Sequence, residues 1–108
     1  MSIDNAKRQI EGFKRDIDRE KSRIADSRDE MAKIRVRKSR DSDHYSRRLK
    51  SAFSTANRHS IRAQKKRDWE SYARKIDREK EKITKNREKI KDIREKIKRS
   101  RERIKRLR

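Results

Sequence analysis

Eleven residues close the sequence as Lys98-Arg99-Ser100-Arg101-Glu102-Arg103-Ile104-Lys105-Arg106-Leu107-Arg108, with a single acid among them. Ile104 and Leu107 keep helical spacing inside this run, so it reads as a basic helix end. Lys98, Arg99, Arg101, Arg103, Lys105, Arg106 and Arg108 can meet phosphates as point charges or guanidinium forks, which gives binding without sequence preference that weakens steeply with salt. A second cluster joins Arg47, Arg48 and Lys50 to Gln64-Lys65-Lys66-Arg67-Asp68-Trp69, near Tyr45, Phe53 and Tyr72. Aromatic rings beside Arg and Lys are a common means of stacking unpaired bases. Rings at such places also plug the end of a coil, and Trp69 and Tyr72 continue an apolar stripe that favours plugging.

Catalytic chemistry finds little support. The chain has no Cys, no Gly-rich phosphate loop and no HExxH, and its two histidines, His44 and His59, lack an obvious carboxylate or nucleophile partner. Acids are interleaved with bases at helical spacing, as in Glu95 and Arg99, which suits solvated ion pairs better than acid/base work. No metal site, cofactor or disulfide is expected. The apolar runs are too short to span a bilayer or to form a signal-peptide core, which predicts a soluble intracellular protein.

Thirty-nine Lys and Arg against nineteen Asp and Glu give a net charge of +20. Residues 1–40 carry thirteen bases and eight acids, residues 41–68 eight and three, and residues 69–108 eighteen and eight, so the excess grows toward the second half. Such a balance attracts nucleic acid, an acidic protein or an anionic surface.

Only 27% of the 108 residues are hydrophobic and 54% are charged, too little apolar matter for a thick core. With no Pro and one Gly, the chain also lacks the punctuation of sheets and compact α/β folds. The alternatives are disorder and helix, and periodicity separates them. Ile3, Ile10, Ile17, Ile24 and Met31 recur every seventh residue, with Ala6, Phe13 and Ile34 in a second row. Trp69, Ile76, Ile83, Ile90, Ile97 and Ile104 repeat the spacing, with Tyr72, Ile93 and Leu107 beside them. Two narrow heptad seams predict an all-α fold, a long antiparallel coiled-coil hairpin forming one domain. Arm one covers about 3–40, a central segment with the turn 41–61, and arm two 62–108.

Antiparallel pairing of the two heptad frames sets Ile17 beside Ile93, Glu20 beside Ile90, Ser27 beside Ile83 and Ile24 beside Asn86, so that no layer between Ile3 and Ile34 is polar on both sides. The reversal then falls at Thr55 within Ser54-Thr55-Ala56-Asn57, where Asn tolerates left-handed angles and Ser60 can cap the returning helix. A break at Ser39-Arg40-Asp41-Ser42-Asp43 is the competing arrangement. It would leave Tyr45, Leu49, Phe53 and Ala56 as a short extra helix near the tip.

The five-residue run Ile17-Asp18-Arg19-Glu20-Lys21 recurs as Ile76-Asp77-Arg78-Glu79-Lys80, consistent with duplication or with coils of similar composition. A heptad arm, a centre with Ser39, Ser42, Ser46, Ser51 and Ser54, and a second Ile/Lys arm resemble the coiled-coil segments at the start of some bacterial Toll/interleukin-1-receptor-domain proteins. The resemblance implies a signalling or defence role alongside a catalytic domain, which these 108 residues do not contain, and this chain is the more basic. The residues themselves predict a self-associating, non-enzymatic hairpin that binds nucleic acid in an architectural or packaging role, in a nucleoid or a virion. The alternative is an assembly or adaptor coil that meets an acidic protein, with Glu20, Glu79 and Asn86 setting register.

Overall fold

The computed structural model describes residues 2–108 and contains two helices, α1 over Ile3–Lys50 and α2 over Thr55–Leu107. They pack antiparallel as an all-α coiled-coil hairpin, and the described residues include no strand. Each helix is bounded by local chemistry. Ser2 caps α1, its Oγ accepting from the Asn5 N–H at 3.1 Å while its carbonyl accepts from Ala6, and Asp4 places a negative charge in the positive first turn. At the other end Arg47, Arg48 and Lys50 lie in the last turn, where cations favour the exposed carbonyls.

Residues 51–54 make the reversal. Ser54, and not Ser60, caps α2, its Oγ accepting from the Asn57 N–H at 3.1 Å. Asn57 is already helical and no described residue has a positive φ, so the turn uses no left-handed position. The reversal therefore precedes the expected Thr55. The short extra helix allowed for near the tip is not formed: α1 runs unbroken through Ser39–Asp43. A mid-helix Asp interrupts a helix only when its carboxylate turns back onto the backbone. Asp41 instead reaches across the seam to Tyr72.

The chain divides into two compact units, Met1–Ser27 with Glu81–Arg108 and Arg28–Lys80. In the first, Ala6, Ile10, Ile17 and Ile24 from α1 and Ile83, Ile90, Ile97 and Ile104 from α2 are buried. Each such isoleucine contributes about 1.5–3 kcal/mol relative to exposure. Glu20, Ser27, Asn86 and Ser100 are buried between them. In the second unit the core is Met31, Ile34, Tyr45, Ile61 and Tyr72.

The pairing differs from the expected register. Tyr45 meets Asp68 and Asp41 meets Tyr72, three residues further along α2 than predicted. In the first unit Glu20 lines a groove with Ile93 and Ser27 one with Asn86, each three residues beyond the expected partner, and Ile17 lines one with Ile97, four beyond. Like rows thus stand level, and Ser27 and Asn86 bring polar side chains to one level, which the predicted register had excluded.

Candidate nucleic-acid interface

In the unit Arg28–Lys80 the central aromatics form a clasp. The Tyr45 hydroxyl donates to Asp68 Oδ2 and the Tyr72 hydroxyl donates to Asp41 Oδ2, each bond crossing from one helix to the other in opposite senses. A hydroxyl that donates to a carboxylate resists ionisation. The bond to Asp68, aided by burial, pushes the Tyr45 hydroxyl up to about 12, and the bond to Asp41 does the same for Tyr72. Trp69 lies between the two tyrosines with edge-to-face ring centroids at 5.9 and 6.0 Å.

This clasp engages two of the cations predicted to bind phosphate. Arg48 donates to Gln64 Oε1 at 3.2 Å and stands over the Tyr45 ring at 5.7 Å. Lys65 lies 5.2 Å from the Trp69 ring, with Lys38 at 5.6 Å. Cation–π contacts of this kind hold the heads against the protein. Arg47, Lys66 and Arg67 are exposed. Tyr45 and Tyr72 are buried and cannot offer a face to a base, so of the four central aromatics Phe53 alone is fully presented, 97% exposed.

In the unit Met1–Ser27 with Glu81–Arg108, a groove of about 810 Å³ runs along one side of the seam, with Ile17 and Ile97 among its lining. Lys14 and Lys21 edge it from α1, and Arg94, Lys98, Arg101 and Lys105 from α2, against two acids, Asp18 and Glu102. Three of the predicted residues, Lys98, Arg101 and Lys105, are therefore joined here by three that the sequence reading omitted, Lys14, Lys21 and Arg94. A signal for them exists in the seven-residue spacing of Lys14 with Lys21 and of Arg94 with Arg101, which sets each pair on one flank of its seam. Of the remaining predicted residues, Arg99, Arg103, Arg106 and Arg108 are exposed on α2 or just beyond its end and do not line the groove.

A second groove of the same unit is nearly balanced, with Arg19, Arg23, Lys89 and Lys96 facing Asp16, Glu20 and Asp92. Arg23 binds Glu20 Oε1 at 2.7 Å, while the other oxygen, Oε2, is buried without a partner. Ion pairs along α1 join residues three apart, as in Arg19 with Asp16 at 2.9 Å and Lys14 with Glu11 at 3.5 Å. These exposed pairs contribute little to stability and leave most of the positive excess uncompensated.

Among the described residues no group of three or more His, Cys, Asp and Glu gathers as a metal ion requires, and no helix is long and apolar enough to cross a membrane. Fold and surface define a class: an antiparallel coiled-coil hairpin with a cation-lined groove along its seam and bases in the helix ends beside its turn. Beyond that class no kinship is found, since no family model, curated protein or solved structure matches the chain.

Proposed function

We propose that this chain binds nucleic acid without sequence preference, through distributed phosphate contacts, in an architectural or packaging role and without catalysis. The observation that carries the reading is the groove in which six cations, Lys14, Lys21, Arg94, Lys98, Arg101 and Lys105, outnumber two acids. Two basic rims a coil's width apart suit a polyanion strand, whose regularly spaced charges release counterions as they are neutralised. A chain of net charge +20 adds long-range attraction to the encounter.

The test is a salt titration of nuclease-treated protein on a labelled duplex. Neutralising about five phosphates gives a slope of log K against log salt near −4.5. The triple variant Lys98→Glu, Arg101→Glu, Lys105→Glu should lose roughly three phosphate contacts from that slope, while its helix content is unchanged. Protein that fails to retard DNA or RNA at low salt, yet purifies with one discrete acidic protein, overturns the proposal. That outcome belongs to the adaptor reading, which one observation favours: the unpartnered Glu20 oxygen inside the seam is a place where another chain, including a second copy, could supply a donor.

A further inference from the structure

Between Asp43 and Asp68 lie twenty-four residues with no acid, eight Lys and Arg, and both histidines of the chain. Phe53 stands near their middle on the 51–54 turn, 97% exposed, whereas the other exposed large apolar side chains, Val36 and Leu107, are about half covered. A lone exposed apolar residue is ordinary on protein surfaces, so exposure by itself decides nothing. The setting is what matters. A turn needing only solvation is served by small polar residues, as Ser51 and Ser54 serve here, and a full phenyl ring adds nothing to it.

The charges around the ring are arranged to remain available. Of the acids near its two ends, Asp41 and Asp68 accept tyrosine hydroxyls across the seam, while Asp43 is exposed one turn before Arg47. Lys50 lies three residues before Phe53 at the end of α1, and Arg58 lies in the first turns of α2; both are exposed, as are Arg47 and Arg62 one turn further back on each helix. The positive end of the α2 dipole adds to the same side of the turn.

We propose that this tip grips unpaired nucleotides, Phe53 stacking on a base while Lys50, Arg58, Arg47 and Arg62 contact the adjoining phosphates. The inference rests on the nucleic-acid reading above and adds a substrate class to it: strands whose bases are free. In a duplex the base faces are already stacked, so the ring gains nothing there, whereas every unpaired base offers a face irrespective of sequence. An anionic membrane is the weaker match, because interfacial binding uses a broad apolar face and the apolar stripes of both helices are consumed in the seam.

The experiment compares wild-type protein with Phe53→Ala by fluorescence anisotropy on three ligands: a single strand of about twenty nucleotides, its duplex, and an abasic strand of equal length. Removing one base–aromatic stack should weaken single-strand binding roughly tenfold, with duplex affinity, salt slope and melting temperature unchanged. The abasic strand should bind both proteins alike. Equal loss on all three ligands, or no loss on any, overturns the tip assignment while leaving phosphate binding intact. Absence of binding to every ligand at low salt sinks the underlying reading instead. Loss of binding to vesicles of phosphatidylcholine and phosphatidylserine by Phe53→Ala, with single-strand affinity retained, replaces the nucleotide by a membrane.

Discussion

Replacing Tyr45 and Tyr72 by Phe tests the clasp that bonds the two helices to one another. A hydroxyl donating to a carboxylate contributes about 1.5–3 kcal/mol, and a thin two-helix seam, whose half-buried Asp41 and Asp68 can be rehydrated, points to the lower end of that range. Each single variant should therefore lose about 1.5 kcal/mol, or roughly 6 °C for a chain of this length. The double variant should lose more than the sum, because each carboxylate also acts on the other's tyrosine and the two acids would face one another without donors. The same energy has a pH signature. Both tyrosines ionise near 10 when unfolded and about 12 when folded, so the stabilisation is complete below pH 10 and is lost as pH rises toward 12. A rise from 10 to about 12 is worth about 2.7 kcal/mol unscreened, and halving this for solvent screening returns about 1.4 kcal/mol per tyrosine, close to the hydrogen-bond figure. Melting followed by circular dichroism at 222 nm supplies the measurement, with lysine neutralisation common to both proteins. The gap between wild type and the double variant, more than about 12 °C at pH 8, should close by pH 12. A gap under about 2 °C, or one that stays constant across that interval, would refute the clasp as a stabilising element.

Two further substitutions probe the seam of the unit Met1–Ser27 with Glu81–Arg108. Glu20→Leu removes the buried oxygen that lacks a partner and sets an apolar side chain near Ile93, which should raise stability by about 1–2 kcal/mol in thermal melts; a lower melting temperature would mean that the carboxylate is satisfied in solution, as by self-association. Gly12→Ala adds a Cβ that meets nothing within 4 Å and should stabilise α1 by about 0.5–1 kcal/mol, read from the midpoint of urea unfolding at unchanged slope.

The hairpin was legible because isoleucine at every seventh position leaves a seam no other structure can use, and because each buried isoleucine of the first unit falls on those positions. Register was not legible. Two heptad frames admit several antiparallel alignments, and the polar rows at Glu20, Ser27, Asn86 and Ser100 favoured one that hides each polar residue behind an apolar one. The actual alignment brings Ser27 and Asn86 level. It is accompanied by the reciprocal bonds of Tyr45 and Tyr72, whose partners lie 23 and 31 residues away in sequence and carry no local signature. The basic groove was half legible for the same reason. Lys98, Arg101 and Lys105 form a visible run, while Lys14 and Lys21 join them only once α1 has been laid beside α2.

A core this narrow also explains why so much charge is left facing water. A seam that buries one isoleucine row from each helix removes few side chains from water, and its flanks are positions where a globular protein would need apolar cover. Here those flanks are Lys14, Lys21, Arg94 and Arg101, long side chains whose methylene stems can shield the edges of the isoleucines while their heads stay solvated. From one position, then, their stems can cover the seam while their like-charged heads repel one another across the groove. Neighbouring acids compensate that repulsion only in part, since Asp18 and Glu102 share the groove with six bases and Glu11 pairs with Lys14. A polyanion bound as proposed would relieve it and so link binding to folding: the chain should then melt at higher temperature in the presence of nucleic acid, by an amount that falls as salt rises.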